Sequence, residues 1–311
     1  MQHTAESPIL VIGATGRHGG TGATVVDCLL RRGHSVRALI RTDDERAAEL
    51  RRRGAETVVG DLHDRDSLVP AFDRVRAVYF TYPVAPGIIP AAANVASVLS
   101  KHASAAHLVV MSMAVSALDS PSKLGQAQAV AEDIFIWAGL NPTVLRFAGL
   151  FHENIAVLHQ RTIQRDAVIA NSFGGCAAPW ISGDDAAEIA AAHLLTPRPD
   201  SPRISYPPPA EAISHTELAR IISATAGRPV RYEHISAAAW QRQLELAAES
   251  EHPVNVGMAQ HIAAVGAALS GRSKPLVAPD PSALAAMLDR PPASVADFIR
   301  RNHSHFATDR T

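Results

Sequence analysis

The sequence feature that most constrains the fold is a glycine-rich segment near the start of the chain. Residues 13–19 read GATGRHG and directly follow Pro8–Ile12, a short apolar run typical of a buried parallel strand. Apolar residues at helical spacing come next, from Val25 to Leu30, and Gly33 marks the end of that helix. Glycines between a strand and a helix let backbone N–H groups approach a pyrophosphate. We therefore predict a nucleotide-binding loop here.

The glycine spacing leaves two versions of this loop open. Gly20-Thr21-Gly22 adds a further glycine, three residues after Gly19. Either the loop is wider than usual, or the helix begins later and Gly22 takes the place of Gly19 beside the phosphates.

A second signal at the end of the next strand concerns the type of nucleotide. Folds that bind NAD place an acidic residue there to hold the ribose 2′-hydroxyl, but the predicted strand Ser35–Ile40 is followed by Arg41. A guanidinium group pairs with a 2′-phosphate, and Arg17 in the glycine loop could assist. This pattern favours NADP(H) over NAD(H). The alternative is that Arg41 is a solvated surface arginine beside Asp43 and Asp44.

Strand and helix signals alternate through the first half of the chain. This repetition predicts a Rossmann-type α/β fold, a doubly wound parallel sheet with helices on both faces. The predicted strands are Pro8–Ile12, Ser35–Ile40, Glu56–Val59, Arg76–Thr81, His107–Met111 and Thr143–Phe147. The predicted helices between them cover residues 43–53, 64–73, 88–103 and 122–138.

The pattern becomes less regular after about residue 150, which predicts a second domain. We expect residues 1–155 to form the nucleotide-binding domain and residues 156–311 to form a smaller substrate-binding lobe. Ser182 and Asp185 have the spacing of a capping box. They predict a helix over residues 184–195 that packs back on the first domain.

A proline-rich connection follows that helix. Residues 197–209 contain too many prolines for a central strand or a helix interior. Ser214 and Glu217 then have the spacing of another capping box, which predicts a helix over residues 216–226.

Composition excludes several classes of protein. The 29 basic and 30 acidic residues nearly cancel, so no global field attracts nucleic acid or a membrane surface. The two cysteines, Cys28 and Cys176, form neither a disulfide framework nor a metal-binding pattern, and we expect no metal site. No apolar run is long enough to span a membrane. We therefore expect a soluble, cytoplasmic protein with a small-molecule substrate; its oligomeric state is not predicted.

Together these residues resemble the NmrA-like branch of the atypical short-chain dehydrogenase/reductase superfamily. The resemblance covers most of residues 8–245. Its motifs are Gly13–Gly19, Val36–Arg41, Gly60–Leu62, Leu145–Phe147 with Glu153-Asn154, Trp180–Ser182 with Asp185–Ala187, and Leu218–Tyr232. It implies an NADP-binding Rossmann domain with a smaller substrate lobe.

The resemblance also implies which residues hold the cofactor. Asp61 and Leu62 would meet the adenine, residues 81–83 the ribose side, and Ser112 with residues 147–149 the nicotinamide. Asp61 could instead simply cap the next helix, and Phe147 could be a core residue. The complete predicted cofactor set is Gly13, Thr15, Gly16, Arg17, His18, Gly19, Arg41, Asp61, Leu62, Thr81, Tyr82, Pro83, Ser112, Gln128, Phe147, Ala148 and Gly149.

The sequence departs from the family at its proton-donating residues. Well-known members use a Tyr-x-x-x-Lys pair, in which the lysine lowers the pKa of the tyrosine. None of the four tyrosines here has a lysine four residues later. Leu124 stands at the position of the family tyrosine or histidine, and Gln128 at that of the lysine. The proton must then come from water, from a weaker donor such as Ser112 or Tyr82, or from the substrate itself.

Three functions are consistent with these features. The first is an NADPH-dependent reductase, expected to act on an aromatic polyketide-type ketone or a quinone in secondary metabolism such as antibiotic biosynthesis. Its substrate pocket is predicted to contain Tyr82, Met113, Phe151, His152 and Trp180. The second is a non-catalytic NADP(H) sensor of the NmrA type, and the third is an epimerase or dehydratase that uses NAD catalytically. Fold alone does not decide among them.

Overall fold

The computed structural model describes residues 7–16, 20–197, 203–249, 253–272 and 274–307. The chain divides into two compact units. Unit 1 consists of Met1–Leu118, Ala127–Arg146 and Ala186–Ser205. Unit 2 consists of Asp119–Gln126, Phe147–Asp185 and Tyr206–Thr311.

The described residues form short strands and longer helices. The strands are β1 (Ile9–Ile12), β2 (Val36–Ile40), β3 (Glu56–Val59), β4 (Ala77–Phe80), β5 (His107–Met113), β6 (Thr143–Phe147), β7 (Leu150–Phe151), β8 (Val168–Asn171), β9 (Ala177–Ile181), β10 (Ile204–Ser205), β11 (Glu211–Ser214) and β12 (Arg231–His234). The helices are α1 (Thr21–Arg31), α2 (Glu45–Arg52), α3 (Arg65–Leu68), α4 (Ile88–His102), α5 (Lys123–Trp137), α6 (Glu153–Asp166), α7 (Gly183–Leu195), α8 (His215–Ala226), α9 (Ala237–Ala248), α10 (Val256–Ser270), α11 (Pro281–Leu288) and α12 (Val295–Arg301).

A seven-stranded parallel sheet forms the centre of unit 1, in the order β10-β6-β5-β4-β1-β2-β3. Ile9 in β1 lies beside Val36 on one side and Ala77 on the other. Strands β1, β2 and β4 are buried at every position, as expected where helices cover both faces of a sheet. Strand β3, at the edge, is partly exposed. The predicted fold class is therefore confirmed.

The predicted strands and helices of this unit agree with the structure to within a few residues. The predicted helix over residues 64–73 is α3 followed by a 3-10 turn over Val69–Phe72, which contains Pro70. Proline lacks the N–H group that a continuous α-helix needs. The short strand β10 lies at the edge of the sheet, next to β6, within the proline-rich connection. An edge is the position in a sheet that tolerates neighbouring prolines best.

Unit 2 contains two small sheets. One has the order β11-β9-β7, and the other pairs β12 with β8 in parallel. Aromatic and imidazole rings pack beside the second sheet. The His215 ring stacks on Phe173 with ring centroids 4.5 Å apart, and the His159 ring stacks on Trp240 at 6.1 Å.

Both helix starts predicted from capping residues are confirmed. Ser182 Oγ accepts a hydrogen bond from the backbone N–H of Asp185 at 2.9 Å, and Ser214 Oγ accepts one from Glu217 at 3.2 Å. The Asp185 carboxylate accepts the N–H of Ala293 and forms an ion pair with Arg290.

Two features are absent from the described ranges. No helix there has the length and apolar character needed to cross a bilayer. No group of three or more His, Cys, Asp or Glu side chains in those ranges is arranged to hold a metal ion.

Candidate nucleotide-binding site

A cleft of about 480 Å³ lies in unit 1, where strands β1, β2, β3 and β4 end. The carboxyl edge of an open parallel sheet is where such folds bind ligands. The residues that line the cleft are Ile12, Gly13, Thr15, Gly16, Gly20, Thr21, Gly22, Leu39, Arg41, Thr42, Arg46, Gly60, Asp61, Leu62, His63, Thr81, Tyr82 and Pro83. Most of the residues predicted to hold the adenosine half and the pyrophosphate of a dinucleotide are therefore brought together in one cleft.

The chain turns sharply at the end of β1. Gly13 has a φ of +87°, and its carbonyl group accepts a hydrogen bond from the N–H of Gly16 at 3.0 Å. A Cβ at Gly13 would overlap the side chain of Thr81 and lie 3.1 Å from the Thr81 carbonyl oxygen. Glycine is thus required at position 13 both for its backbone conformation and for its close approach to the residue after β4.

Helix α1 begins at Thr21, after Gly20 in the left-handed conformation. A Cβ at Gly22 would lie 2.6 Å from the carbonyl carbon of Gly13 and 2.9 Å from the backbone nitrogen of Ala14. Gly22 is therefore the glycine that lets the first turn of α1 pack against the start of the loop. This agrees with the later helix start, one of the two versions left open by the glycine spacing. Arg17, His18 and Gly19, all predicted to bind the cofactor, lie outside the described residues.

Arg41 lies immediately after β2 and lines the cleft. Its guanidinium group is exposed and has no hydrogen-bond or ion-pair partner among the described residues. The neighbouring acids are engaged elsewhere, because Asp43 pairs with Arg51 at 2.8 Å and Asp44 pairs with Arg46 at 2.6 Å. Arg41 thus presents to the cleft a positive charge that no ion pair with a described residue neutralises.

Asp61 and Leu62 follow β3 and are held by local hydrogen bonds. The Asp61 carboxylate accepts the backbone N–H of His63 at 2.9 Å, and the Leu62 carbonyl accepts a hydrogen bond from Asn94. The side chain that caps α3 is Asp64. The capping role considered for Asp61 is therefore filled by another residue.

The phenol of Tyr82 is placed among these polar groups. Its hydroxyl lies 3.0 Å from Nε2 of His63 and 3.3 Å from the carbonyl oxygen of Pro86. Burial and, secondarily, the negative charge of Asp61 raise the pKa of Tyr82, and the positive charge of Arg41 opposes them. These neighbours put Tyr82 on the side of the cleft that Arg41 and Asp61 occupy.

Ser112, in β5, belongs to a buried polar network. Its hydroxyl donates a hydrogen bond to the carboxylate of Glu132 in α5 and lies 3.0 Å from the hydroxyl of Ser116. Arg146 in β6 forms an ion pair with the same carboxylate, with 2.6 Å between Nη2 and Oε2. Since a serine hydroxyl has one hydrogen, the hydrogen of Ser112 is directed to Glu132 in this arrangement.

Gln128 lies one helical turn before Glu132 on α5, and so on the same face of that helix. The side chain is buried, and its amide nitrogen Nε2 has no hydrogen-bond partner among the described residues. A buried amide without a partner is costly and marks a position where a ligand oxygen could be received.

The remaining predicted residues lie at the end of β5 or in unit 2. Met113 is half-buried at the end of β5. In unit 2, Phe147 is buried, and its ring centroid is 6.3 Å from that of the half-buried Phe151. Ala148 and Gly149 follow Phe147 and are half-buried. His152 and Trp180 are both buried, with ring centroids 6.5 Å apart.

Sequence reasoning missed three residues of unit 1. Arg46 and His63 line the cleft, and Glu132 holds the hydroxyl of Ser112. Arg46 could have been found from the sequence, because it lies in the first turn of the predicted helix that follows Arg41. His63 and Glu132 acquire their partners only through tertiary contacts, because those partners are 19 and 20 residues away in the chain.

The chain is similar in sequence and in fold to several known proteins. The NmrA-like family is matched over residues 5–115. An NAD(P)H azoreductase of Xenophilus azovorans is 30% identical over 233 residues, which cover 73% of this chain and 77% of that protein. The NADPH-dependent quinone oxidoreductase of Escherichia coli, solved with NADPH, has a TM-score of 0.76 at 20% identity, covering 94% of this chain and 99% of that one. The triphenylmethane reductase of Citrobacter sp., solved with NADP(H), has a TM-score of 0.77 at 22% identity with the same coverage.

The parallel sheet, with a glycine-lined cleft at the carboxyl edge, defines a Rossmann-type fold of the dinucleotide-binding class. The protein belongs to the NmrA-like family.

Proposed function

We propose that this protein is an NADPH-dependent reductase that acts on a conjugated, electron-poor acceptor such as a quinone or an azo compound. The observation that carries the proposal is the Arg41 guanidinium, which has no partner among the described residues and lines a cleft built on Gly13 and Gly22. The azoreductase relative and the two reductases of the same fold support it.

The residues of the cleft fit the proposed cofactor. Gly13 and Gly22 leave room at the helix N-terminus, where a pyrophosphate is favourably held. Arg41 would pair with the 2′-phosphate and Asp61 would contact the adenosine. In the sheet order, β4 and β5 continue outward from β1, so the second half of a dinucleotide would extend toward Ser112. There, the amide of Gln128 would donate a hydrogen bond to a ligand oxygen.

When bound, NADPH supplies the hydride, and the acceptor also takes up one proton. No tyrosine of the chain has a lysine four residues later to help it supply that proton. The hydrogen of Ser112 points to Glu132, and the hydroxyl of Tyr82 contacts His63 and Pro86. We therefore propose that solvent or the substrate itself provides the proton. Less than about a tenfold loss of turnover in Ser112→Ala and in Tyr82→Phe would agree with this; a larger loss in either would restore that residue as donor.

The proposed class of acceptor rests on the same point, that no protein group donates the proton. A quinone or an azo bond accepts a hydride without a strongly acidic protein group nearby, and a ketone beside a phenol is polarised by its own hydrogen bond. The relatives favour the quinone and azo classes over the aromatic polyketide ketone considered from the sequence. Met113, which follows Ser112 at the end of β5, is the residue of unit 1 that we propose contacts the substrate.

A non-catalytic NADP(H) sensor is the second candidate. The observation that favours it is the engagement of both candidate donor hydroxyls with other protein groups. A sensor would bind the nucleotide as tightly as an enzyme but would show no turnover with any acceptor.

Substitution of Arg41 tests the cofactor assignment. We expect Arg41→Gln to weaken NADPH about tenfold or more, because it removes a charge-assisted hydrogen bond, and to leave NADH nearly unchanged. Isothermal titration of both nucleotides measures this. Arg74→Gln, which alters an exposed arginine outside the cleft, is the control. Equal weakening of NADPH and NADH in Arg41→Gln would contradict the assignment.

A further inference from the structure

Two arginines of the described residues line the cleft, and their surroundings differ. Arg41 has no hydrogen-bond or ion-pair partner among the described residues. Arg46, by contrast, donates three hydrogen bonds, two to the Asp44 carboxylate and one to the carbonyl oxygen of Thr15. Two guanidinium groups at one cleft therefore present different chemistry to a ligand.

Asp44 compensates the charge of Arg46. Its Oδ2 atom accepts hydrogen bonds from Nε of Arg46 at 3.0 Å and from Nη2 at 2.6 Å. Its Oδ1 atom caps α2 by accepting the backbone N–H groups of Arg46 and Ala47. The carboxylate is therefore fixed at the helix end, and the fork of Arg46 is fixed on the carboxylate.

The third hydrogen bond of Arg46 reaches the glycine-rich segment. Nη1 of Arg46 lies 2.9 Å from the carbonyl oxygen of Thr15, which is 31 residues earlier in the chain. Thr15 stands between Gly13 and Gly16, whose mutual hydrogen bond closes the turn. Arg46 thus connects the first turn of α2 to the turn after β1.

We propose that Arg46 is a positioning residue that holds the glycine-rich turn in place for a pyrophosphate, whereas recognition of the 2′-phosphate falls to Arg41. This division of roles rests on the proposed NADPH-binding function. It assigns the turn a restraint from outside the loop, which glycine residues cannot supply because they add conformational freedom.

Nucleotide fragments separate the two roles. ADP-ribose contains the pyrophosphate and lacks the 2′-phosphate, whereas 2′-AMP contains the 2′-phosphate and lacks the pyrophosphate. The dissociation constants of both fragments, and of NADPH, are measured by isothermal titration for the wild type, Arg46→Gln, Arg46→Lys and Arg41→Gln. Arg52→Gln is the matched control, because Arg52 lies on the same helix but pairs with Glu45 outside the cleft.

We expect Arg46→Gln to weaken ADP-ribose and NADPH about three- to tenfold, the effect of one hydrogen bond from an ion, and to leave 2′-AMP unchanged. Arg46→Lys should recover part of the loss, since an ammonium group can also donate to the Thr15 carbonyl. Arg41→Gln should show the opposite pattern, with 2′-AMP weakened and ADP-ribose unchanged. Arg52→Gln should match the wild type with all three ligands.

Other results would overturn the proposal. Loss of 2′-AMP binding in Arg46→Gln, with or without loss of ADP-ribose, would make Arg46 a phosphate ligand or a general structural residue. Unchanged binding of all ligands would show that the bond to Thr15 has no effect on the loop. If the wild type binds none of the three ligands, the proposed function itself fails, a result distinct from these.

Discussion

Gly22, in the first turn of α1, lies against the peptide group that joins Gly13 to Ala14. A Cβ atom added at residue 22 would be 2.6 Å from the Gly13 carbonyl carbon and 2.9 Å from the Ala14 nitrogen. Those are backbone atoms, which cannot rotate away as a flexible side chain can. The contact therefore fixes how closely the helix N-terminus approaches the turn that we propose holds the pyrophosphate.

Substitution of Gly22 should damage both stability and binding. We expect Gly22→Ala to lower the free energy of unfolding by about 1–3 kcal/mol, the usual effect of overpacking. The helix must also move away from the turn, so NADPH affinity should fall about tenfold or more. Urea denaturation and NADPH titration measure the two effects. Gly175→Ala is the control, because no described residue other than its chain neighbours has an atom within 4 Å of its Cβ position. Wild-type binding by Gly22→Ala would contradict the proposed role of the Gly22 contact.

The buried pair of Glu132 and Arg146 should contribute strongly to stability. Glu132→Gln removes the charge that Arg146 faces while keeping the side-chain shape, and breaking such a pair costs about 3–5 kcal/mol. Chemical denaturation of the variant measures the loss. The Arg74–Asp73 pair is the exposed counterpart, with the two side chains 82% and 62% exposed. Asp73→Asn should change stability by less than about 1 kcal/mol, and similar losses in the two variants would contradict this account.

Stability should fall in mild acid because unit 2 buries several imidazoles. Burial lowers the pKa of His152, His159 and His261 to about 4, and that of His215 to about 3. The unfolded chain binds their protons from about pH 6.5 downward, whereas the folded chain does not. The free energy of unfolding should therefore decrease between about pH 6.5 and pH 4, by up to about 1.4 kcal/mol per pH unit for each histidine.

His152 is the histidine that tests this most clearly. Both of its ring nitrogens are buried without a partner among the described residues, and it packs against Phe298 and Trp180. The charge of Arg301 lowers its pKa further, and that of Asp297 opposes this effect. We expect His152→Leu to reduce the acid slope of the unfolding free energy, measured by urea denaturation from pH 7.5 to 4.5. His303→Leu, at an exposed position, is the control, and an unchanged slope in His152→Leu would contradict the explanation.

Gln128 should affect binding of the complete dinucleotide but not of its adenosine half. Because its amide nitrogen is buried without a partner among the described residues, Gln128→Ala should leave the free protein as stable as the wild type or more so. NADPH affinity should fall about two- to tenfold, whereas 2′,5′-ADP affinity should stay the same. Gln243→Ala, on the exposed side of α9, is the control. A stable variant with wild-type NADPH affinity would show that the amide receives no ligand oxygen.

The sequence predicted the sheet of unit 1 well because its signals are local. The segments Ile9–Ile12 and Val36–Ile40 are mainly apolar and long enough for buried strands. Gly13 directly follows the first segment, and Gly33 precedes the second. The predicted doubly wound arrangement follows from that alternation alone. The start of α1 was left open, since glycines recur at Gly13, Gly16, Gly19 and Gly22 with equal spacing. Only the tertiary contact between Gly22 and Gly13 shows which of these glycines packs α1 against the turn after β1.

The side-chain partners of the site depended on contacts that spacing does not encode. Arg41 and Asp61 were predicted because each follows closely after a strand. Arg46 was not, because its role comes from a carbonyl group 31 residues away. Glu132 lies in a helix segment that also carries Asp133, and nothing in the spacing indicates that Glu132 is buried under Arg146 while its neighbour is half-buried.

The most direct test of the account is a titration of the wild type with NADPH and NADH, followed by absorbance at 340 nm in the presence of quinones and azo dyes. We predict that NADPH binds about tenfold or more tightly than NADH, because Arg41 pairs with the 2′-phosphate, and that an acceptor from this panel causes its oxidation. Tight binding of NADPH without oxidation by any acceptor would contradict the reductase and favour the sensor. Absence of nucleotide binding would contradict the central claim that the cleft is a dinucleotide site.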